Sequence, residues 1–424
     1  MLRHCIAFLC AAVSTSASAT NGLNLIGFGT ESALMGGADV AVARDTTALN
    51  TNPAGLARIG ARAFDGFGAV AYGMDVRHLD TFGNDTSVSN RLIPIGGFGY
   101  AQRIAGTALT AGIGLFAQGG AGNIYENMAT AFGTRDDLTG IFRIARLSPG
   151  LAWQATDRLA LGVSVPITYA DARQKVFPGT SFFNAANPAA SFFGFELKGA
   201  QTLKTGLKLG AQYRASDAVM LGATYTHKTS LPLSDGTLIA NMSAIGLGRV
   251  TYRNARVDGL GLPREFGLGI AWEPRAGMLL SFKYAWLNWA SSLQTSTLTA
   301  TAPDNPLAPP VLSSSSANNW NNQNVFAIGA AIDLSPGARM YLGYNYGRSP
   351  IPLQNLNPLL AAIGEHHFTG GFMHRLGTEW SLAYGIEYQR SANPVYTNPA
   401  LPFGPNAQER SNFPAFDLML SRRW

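Results

Sequence analysis

The chain has 424 residues, of which 46% are hydrophobic and 13% are charged, and its formal net charge is +6. The charged share is about half of that in average soluble proteins, and the basic residues do not form the stripe that nucleic-acid binding needs. Both cysteines, Cys5 and Cys10, lie near the amino terminus, so the remainder of the chain offers no disulfide, cysteine metal site or thiol nucleophile.

Residues 1–19 have the pattern of a secretory signal peptide. Arg3 is the basic residue, an apolar run extends over residues 5–13, and Ala17-Ser18-Ala19 matches an A-x-A cleavage site. The mature chain is therefore expected to begin at Thr20. No later stretch reaches about 18 consecutive apolar residues, which excludes membrane-spanning helices. An exported chain with so little charge then meets lipid as a closed β-barrel.

Residues 20–60 do not alternate between apolar and polar positions, and they are rich in Gly, Ala, Asn and Thr. Short helices are expected around residues 32–43. A segment of this kind before the first strand either hangs in the periplasm or plugs the lumen of the barrel.

Residues 61–424 are predicted to form the barrel, because apolar residues recur at every second position. Phe266, Leu268, Ile270 and Trp272, for example, alternate with glycine and alanine. A soluble β-sandwich also alternates, but its second face is usually charged, whereas here that face carries mainly small residues. We predict fourteen antiparallel strands near 63–76, 91–103, 107–117, 143–154, 158–169, 203–214, 218–228, 260–272, 277–288, 324–333, 338–347, 366–375, 379–390 and 413–424.

The predicted connections alternate between short turns and long loops. The long loops fall near 77–90, 118–142, 170–202, 229–259, 289–323, 348–365 and 391–412. This alternation is typical of outer-membrane barrels that have both termini in the periplasm. The last strand ends on Trp424, and a terminal aromatic residue resembles the signal that the barrel-assembly machinery recognises. The alternative interpretation is an ordinary terminal strand.

The loop at 177–195 is unusually aromatic for an exposed segment. These rings either pack against neighbouring loops or form an apolar capture groove that the next loop completes, and the two interpretations are compatible. The candidate ligand-binding residues are Phe182, Phe183, Phe192, Phe193, Phe195, Leu238 and Ile239.

Three lysines, Lys204, Lys208 and Lys283, are predicted to face the lumen. They either bind the carboxylate of a substrate or pair with acidic residues such as Glu273 and Glu387, and the sequence does not decide between fatty acids and neutral aromatics. There is no catalytic motif, and the side chains of His366 and His367 point to opposite faces of a strand. We therefore expect no enzyme activity, no metal and no cofactor.

The segment from Gly36 to Leu56, with Asn52-Pro53-Ala54 as its most specific part, resembles the amino-terminal hatch of the OmpP1/FadL/TodX family. The resemblance implies transport of hydrophobic compounds, namely long-chain fatty acids or aromatic hydrocarbons. It also implies capture by extracellular loops, a pocket closed by the hatch, and lateral exit at a kinked third strand. The candidate kink residues are Gly112 and Gly114, followed by Gly119-Gly120.

The sequence thus predicts a monomeric outer-membrane barrel that contacts lipid, lipopolysaccharide and a hydrophobic substrate. The competing hypothesis is a structural or adhesion barrel that acts through its long loops without transporting anything.

Overall fold

The computed structural model describes residues 21–424, so the predicted signal peptide lies outside the described residues. Fourteen antiparallel strands form a closed barrel. They are β1 Arg62–Tyr72, β2 Leu92–Arg103, β3 Leu109–Ala129, β4 Arg135–Gln154, β5 Leu159–Ser164 with Ile167–Phe182, β6 Phe192–Thr205 with Lys208–Arg214, β7 Val219–Thr226 with Leu233–Met242, β8 Gly248–Asp258 with Arg264–Arg275, β9 Met278–Asn288 with Thr295–Pro303, β10 Val311–Ala317 with Gln323–Ser335, β11 Ala338–Gly347, β12 Gly364–Leu376, β13 Trp380–Ser391 and β14 Ala407–Arg423.

Each strand pairs with its neighbours in sequence, and β1 pairs with β14 from Ala63–Arg423 to Ala71–Ala415. This last ladder closes the sheet and removes its edges. Six turns of a few residues connect the strands at one end, where Arg62 and Trp424 also lie. The fourteen-stranded antiparallel barrel predicted from the sequence is confirmed.

The helices are short. They are the α-helix α1 Thr30–Leu34 and the 3₁₀-helices Thr46–Leu49, Pro53–Arg58, Pro188–Ala190, Ser243–Ile245, Trp289–Ser291, Leu353–Asn355 and Pro358–Leu360. Within residues 21–424, no helix is long and apolar enough to cross a membrane.

The outward face of the barrel is apolar, as the alternation predicts. Leu268, Ile270 and Trp272 of β8 are all substantially exposed. Trp153, Trp272 and Trp380 lie on the outward face near the short-turn end, where aromatic girdles occur in membrane barrels.

Several strands continue well beyond the predicted boundaries at the long-loop end. Most residues of the loops predicted at 118–142, 170–202 and 229–259, and about half of those at 289–323, are strand in the structure. These extensions enclose a large apolar core, the cap, whose buried residues include Tyr125, Leu197, Leu238, Tyr252 and Trp289. The prediction of loops there was wrong because two-residue alternation weakens where both faces of a strand contact protein.

Three further short strands lie at the long-loop end, at Asp75–Leu79, Asp85–Ser87 and Val395–Tyr396. The first pairs with β14 from Asp75–Asn412 to Leu79–Gln408. A separate two-stranded bridge joins Thr229–Ser230 to Gly261–Leu262, at the interruptions of β7 and β8.

Candidate functional site

The amino-terminal segment, residues 21–60, contacts the lumen-facing side chains of strands around the barrel. Donors from five strands bind its backbone carbonyl oxygens: Ser164 Oγ to Leu49, Gln212 Nε2 to Ala43, Ser281 Oγ to Ala38, Asn345 Nδ2 to Gly36 and Thr369 Oγ1 to Leu34, at 2.7–2.9 Å. These bonds satisfy backbone carbonyl groups of a segment that has little regular secondary structure of its own.

Lumen-facing glycines let this segment approach the wall. A Cβ atom on Gly343 would lie 2.2 Å from the nitrogen of Gly36, and one on Gly222 would lie 2.3 Å from the oxygen of Val40. Both neighbours are backbone atoms, so neither can rotate away. Residues 21–60 therefore pack against the glycine-rich face of the predicted strands.

The Asn52-Pro53-Ala54 motif packs against two such glycines, Gly162 and Gly210. Asn52 is fully buried, and its amide donates to Val40 O at 2.7 Å and to Ala211 O at 3.0 Å. Its Oδ1 accepts from Ala54 N at 3.2 Å, which caps the 3₁₀-helix that begins at Pro53. The motif thus links two parts of the segment to the wall at β6.

Two of the three predicted lumen lysines line one chamber, and the third does not. Lys283 pairs with Asp39 at 3.1 Å, and Lys208 donates to Thr226 Oγ1 at 2.9 Å. Lys204 lies on the same face of the sheet as Arg146, because both pair with Thr168, but it is exposed and is not among the residues that line this chamber. The acidic partner is Asp39 rather than the predicted Glu273 or Glu387.

The same chamber contains Arg146, which was not among the site residues predicted from the sequence. Arg146 is 4% exposed, and among residues 21–424 its Nε has no hydrogen-bond partner. It lies on the same face of β4 as Ser148 and Ala152. The alternation of residues along β4 could therefore have predicted that Arg146 faces the lumen. We call this space the basic chamber, because Arg146, Lys208 and Lys283 outnumber Asp39 and Glu265 there.

A second space, the acidic cavity, lies between residues 25–33 and the wall formed by β1, β2, β13 and β14. Its lining is mainly apolar and includes Phe67, Ile95 and Phe413, but Glu387 and Asp417 also line it. Leu25 and Ile26 line both spaces, so this short stretch separates the acidic cavity from the basic chamber.

The wall is interrupted between β2 and β3. Their pairing ends at Gly97–Phe116, although β2 begins at Leu92 and β3 continues to Ala129. Closer to the long-loop end, Asn90 Nδ2 donates to Gly122 O at 3.0 Å. We call the stretch beyond the end of this ladder, residues 93–96 opposite 117–121, the window; residues 93–96 remain paired with β1 there.

The kink in β3 lies at the window rather than at the predicted glycines. Pairing is regular through Gly112 and Gly114, and the register shifts between Ala117 and Gly119. Gly119 and Gly120 have φ of 145° and 139°, values that residues with a Cβ rarely adopt. Gly120 N donates to Leu23 O at 3.1 Å, so the amino-terminal segment takes the place of β2 there.

The aromatic loop residues form a partly packed cluster at the tip of β5 and β6. Phe192 stacks on Phe132 with ring centroids 4.6 Å apart, and Phe182 lies 5.6 Å from Phe132. Phe182 and Phe183 are 41% and 44% exposed. Phe193 and Phe195, like Phe192, pack against the cap.

The two aliphatic candidates of the next loop lie on opposite faces of β7. Leu238 is 3% exposed and pairs with the buried Leu197, whereas Ile239 pairs with Glu196 on the opposite face of β7. Leu238 therefore shares the cap with Phe192, Phe193 and Phe195, whereas Ile239 faces away from it, so the predicted groove is not one continuous surface.

A buried charged cluster fastens the hairpin at 75–87 to β14, at the long-loop end of the barrel. His78 Nδ1 contacts Glu409, and His78 Nε2 lies 3.2 Å from Asp80 Oδ2. Tyr125 and Tyr396 donate to the carboxylate of Glu409. Burial alone would lower the pKa of His78, but the charge of Glu409 and the hydrogen bonds to both carboxylates outweigh it and raise the pKa to about 9.

The model of the family described as outer membrane protein transport protein (OMPP1/FadL/TodX) matches residues 7–399, so the chain belongs to this family. It is an outer-membrane β-barrel. Comparison with curated protein sequences finds no match.

Several solved structures share this fold, including these three. The toluene transporter TbuX of Ralstonia pickettii is 20% identical, with a TM-score of 0.74. The toluene transporter TodX of P. putida is 17% identical, with a TM-score of 0.77. A FadL homologue of Pseudomonas aeruginosa is 14% identical, with a TM-score of 0.74. In each case the match covers 95% of this chain and 99% of the other.

Proposed function

We propose that this protein passes hydrophobic small molecules, either fatty acids or aromatic hydrocarbons, through the outer membrane without a cofactor. The observation that carries the proposal is the combination of a segment bound across the lumen with a window in the wall beside it. A barrel that only served adhesion would need neither.

The proposed route begins at the aromatic cluster, whose exposed rings offer an apolar surface outside the lipopolysaccharide layer. It continues into the basic chamber, where Arg146 is a suitable partner for a carboxylate. Residues 21–60 act as the hatch that closes the lumen below. The last step is lateral exit through the window into the membrane.

The charge of the basic chamber supports passage of an amphipathic acid. Three cations face two carboxylates there, and Lys283 is already paired with Asp39. A monoanion near Arg146 would compensate the remaining positive charge, which would otherwise be costly to bury. Neutral aromatics need no such partner, so both substrate classes are part of the test.

The test replaces Phe182 and Phe192 together by serine and measures uptake of labelled oleate and toluene in cells without other such transporters. Burial of a phenyl ring contributes roughly 1.5–3 kcal/mol, and both rings already contact Phe132 in part. We therefore expect capture to weaken about tenfold to a hundredfold.

The control is Phe82→Ser, which removes another exposed ring from a different loop. Heat-modifiable migration in gels verifies that each variant has assembled. Equal uptake by the double variant and the control would refute capture by the aromatic cluster. Absence of uptake by the unaltered protein would favour the structural or adhesion function.

A further inference from the structure

The basic chamber lies between the barrel wall and residues 21–60, and it holds more positive than negative charge. We propose that it binds one small inorganic anion of the halide class, such as chloride, between Arg146 and Lys208. The inference goes beyond the proposed transport function and does not depend on it, because the ion balances buried charge whether or not a substrate passes.

Two of the three cations in the chamber have no carboxylate bound to them. Lys283 pairs with Asp39 at 3.1 Å. Lys208 is 5% exposed, and its ammonium group donates to a threonine hydroxyl at 2.9 Å. Arg146 is 4% exposed, and its Nε has no hydrogen-bond partner among residues 21–424. Glu265 is then the one carboxylate left in the lining for two cations, so the chamber has a surplus of one positive charge.

A buried charge without a counter-ion is costly, because it has lost its hydration. The guanidinium of Arg146 and the ammonium of Lys208 have only N–H donors, so the ligand between them must accept hydrogen bonds. A water molecule accepts such bonds but adds no charge. A halide ion accepts bonds from any direction and also neutralises the surplus charge.

The size of the chamber favours a small ion. Its volume is about 50 Å³, and a sphere the size of a water molecule needs about 10–15 Å³. A halide ion and one or two waters therefore fit. Sulfate and phosphate are larger and carry up to two negative charges at neutral pH, whereas the surplus in the chamber is one. Acetate carries the same charge as a halide, so the experiment includes it.

The amide side chains beside the cations are bonded to one another. Asn50 Nδ2 donates to Gln118 Oε1 at 2.9 Å, and Gln118 Nε2 donates to Asn24 Oδ1 at 3.3 Å. These bonds link residues 21–60 to β3 and leave the cations to the ion. Without the ion, Arg146 and Lys208 repel each other. The bound ion should therefore stabilise the assembled protein in proportion to its occupancy.

The experiment uses the purified full-length protein, folded in detergent and dialysed into sodium gluconate. Bromide, chloride, acetate or sulfate then replaces gluconate at constant ionic strength. The temperature at which heat-modifiable migration is lost reports stability. We expect a saturable rise with bromide and chloride, a weaker effect of acetate and none of sulfate. Crystals grown in bromide should show an anomalous-scattering peak between Arg146 and Lys208.

Variants of opposite charge effect separate ion binding from packing. Arg146→Met should weaken bromide binding about tenfold to a hundredfold, the size of one hydrogen bond to a charged group. Lys208→Met should act in the same direction if Arg146→Met fails to assemble. Glu265→Gln removes the opposing carboxylate and should tighten bromide binding about threefold or more.

The matched control is Lys204→Met. Lys204 lies on the same face of the sheet as Arg146 but outside the chamber, so bromide affinity should not change. A structure in bromide without a peak beside Arg146 would overturn the inference. Equal stabilisation by sulfate and bromide would also overturn it, as would tighter binding of acetate than of bromide. None of these results would affect the proposed transport function, which uptake of hydrophobic compounds tests separately.

Discussion

Gly343 on β11 is the position where one added methyl group best tests whether the barrel wall holds residues 21–60. The Cβ of an alanine would lie 2.2 Å from Gly36 N and 2.3 Å from the carbonyl carbon of Met35. Ordinary contacts are 3.4 Å or longer, so the segment must move by about 1 Å. Overpacking of this kind costs about 1–3 kcal/mol.

The movement would also strain two hydrogen bonds of Gly36. Its nitrogen donates to Thr369 Oγ1 at 3.1 Å, and its oxygen accepts from Asn345 Nδ2 at 2.9 Å. Each such bond contributes about 1 kcal/mol. We therefore expect Gly343→Ala to make the binding of residues 21–60 to the barrel wall about 3 kcal/mol less favourable. The open fraction of single channels in planar bilayers should rise as a result.

The matched control is Gly370→Ala on the neighbouring strand β12. There a Cβ would lie 3.4 Å from Leu342 Cδ2, an ordinary contact with a flexible side chain. Its conductance should equal that of the unaltered protein. If Gly343→Ala assembles and conducts no more than this control, the lumen-facing glycines are not needed for residues 21–60 to bind the wall. Gly329→Ala, which meets Met35 in the same way, provides a second test.

Three further predictions concern the cap, the segment and the fold. The raised pKa of His78 stabilises the hairpin at 75–87 fully below about pH 6.5, and this contribution, about 3 kcal/mol, is lost as the pH rises through 9. Proteolysis of the hairpin should thus accelerate between pH 7 and 10, and a His78→Gln variant with the same pH profile as the unaltered protein would contradict this. Deletion of residues 21–60 should raise single-channel conductance for small ions, and unchanged conductance would argue against a hatch. Circular dichroism of the refolded mature protein should show mostly strand, and a helix-dominated spectrum would contradict the fold.

The barrel is predictable from sequence because lipid demands apolar side chains on one face of every strand. Leu268, Ile270 and Trp272 reveal β8 in this way. The extensions above the membrane are not predictable from alternation, because residues such as Leu197 and Leu238 there face a protein core. The short turns are visible as well, since only a few polar residues separate two apolar alternations.

The candidate site was only partly predictable for a related reason. Lys208 and Lys283 follow from the parity of their strands, and Arg146 could have been found by the same reasoning. The kink could not be assigned by glycine content alone, because Gly112 and Gly119 differ in φ and not in residue type. Asp39, the partner of Lys283, lies in a segment whose path across the lumen no periodicity specifies.

Uptake by intact cells tests the central proposal most directly. Cells without other such transporters would produce the full-length protein, and entry of labelled toluene, oleate and sucrose would be compared with entry into cells without it. We predict faster entry of at least one hydrophobic compound and unchanged entry of sucrose, because residues 21–60 are proposed to close the lumen to hydrophilic solutes. If each of the three compounds entered cells with and without the protein at the same rate, transport of hydrophobic molecules by this barrel would be contradicted.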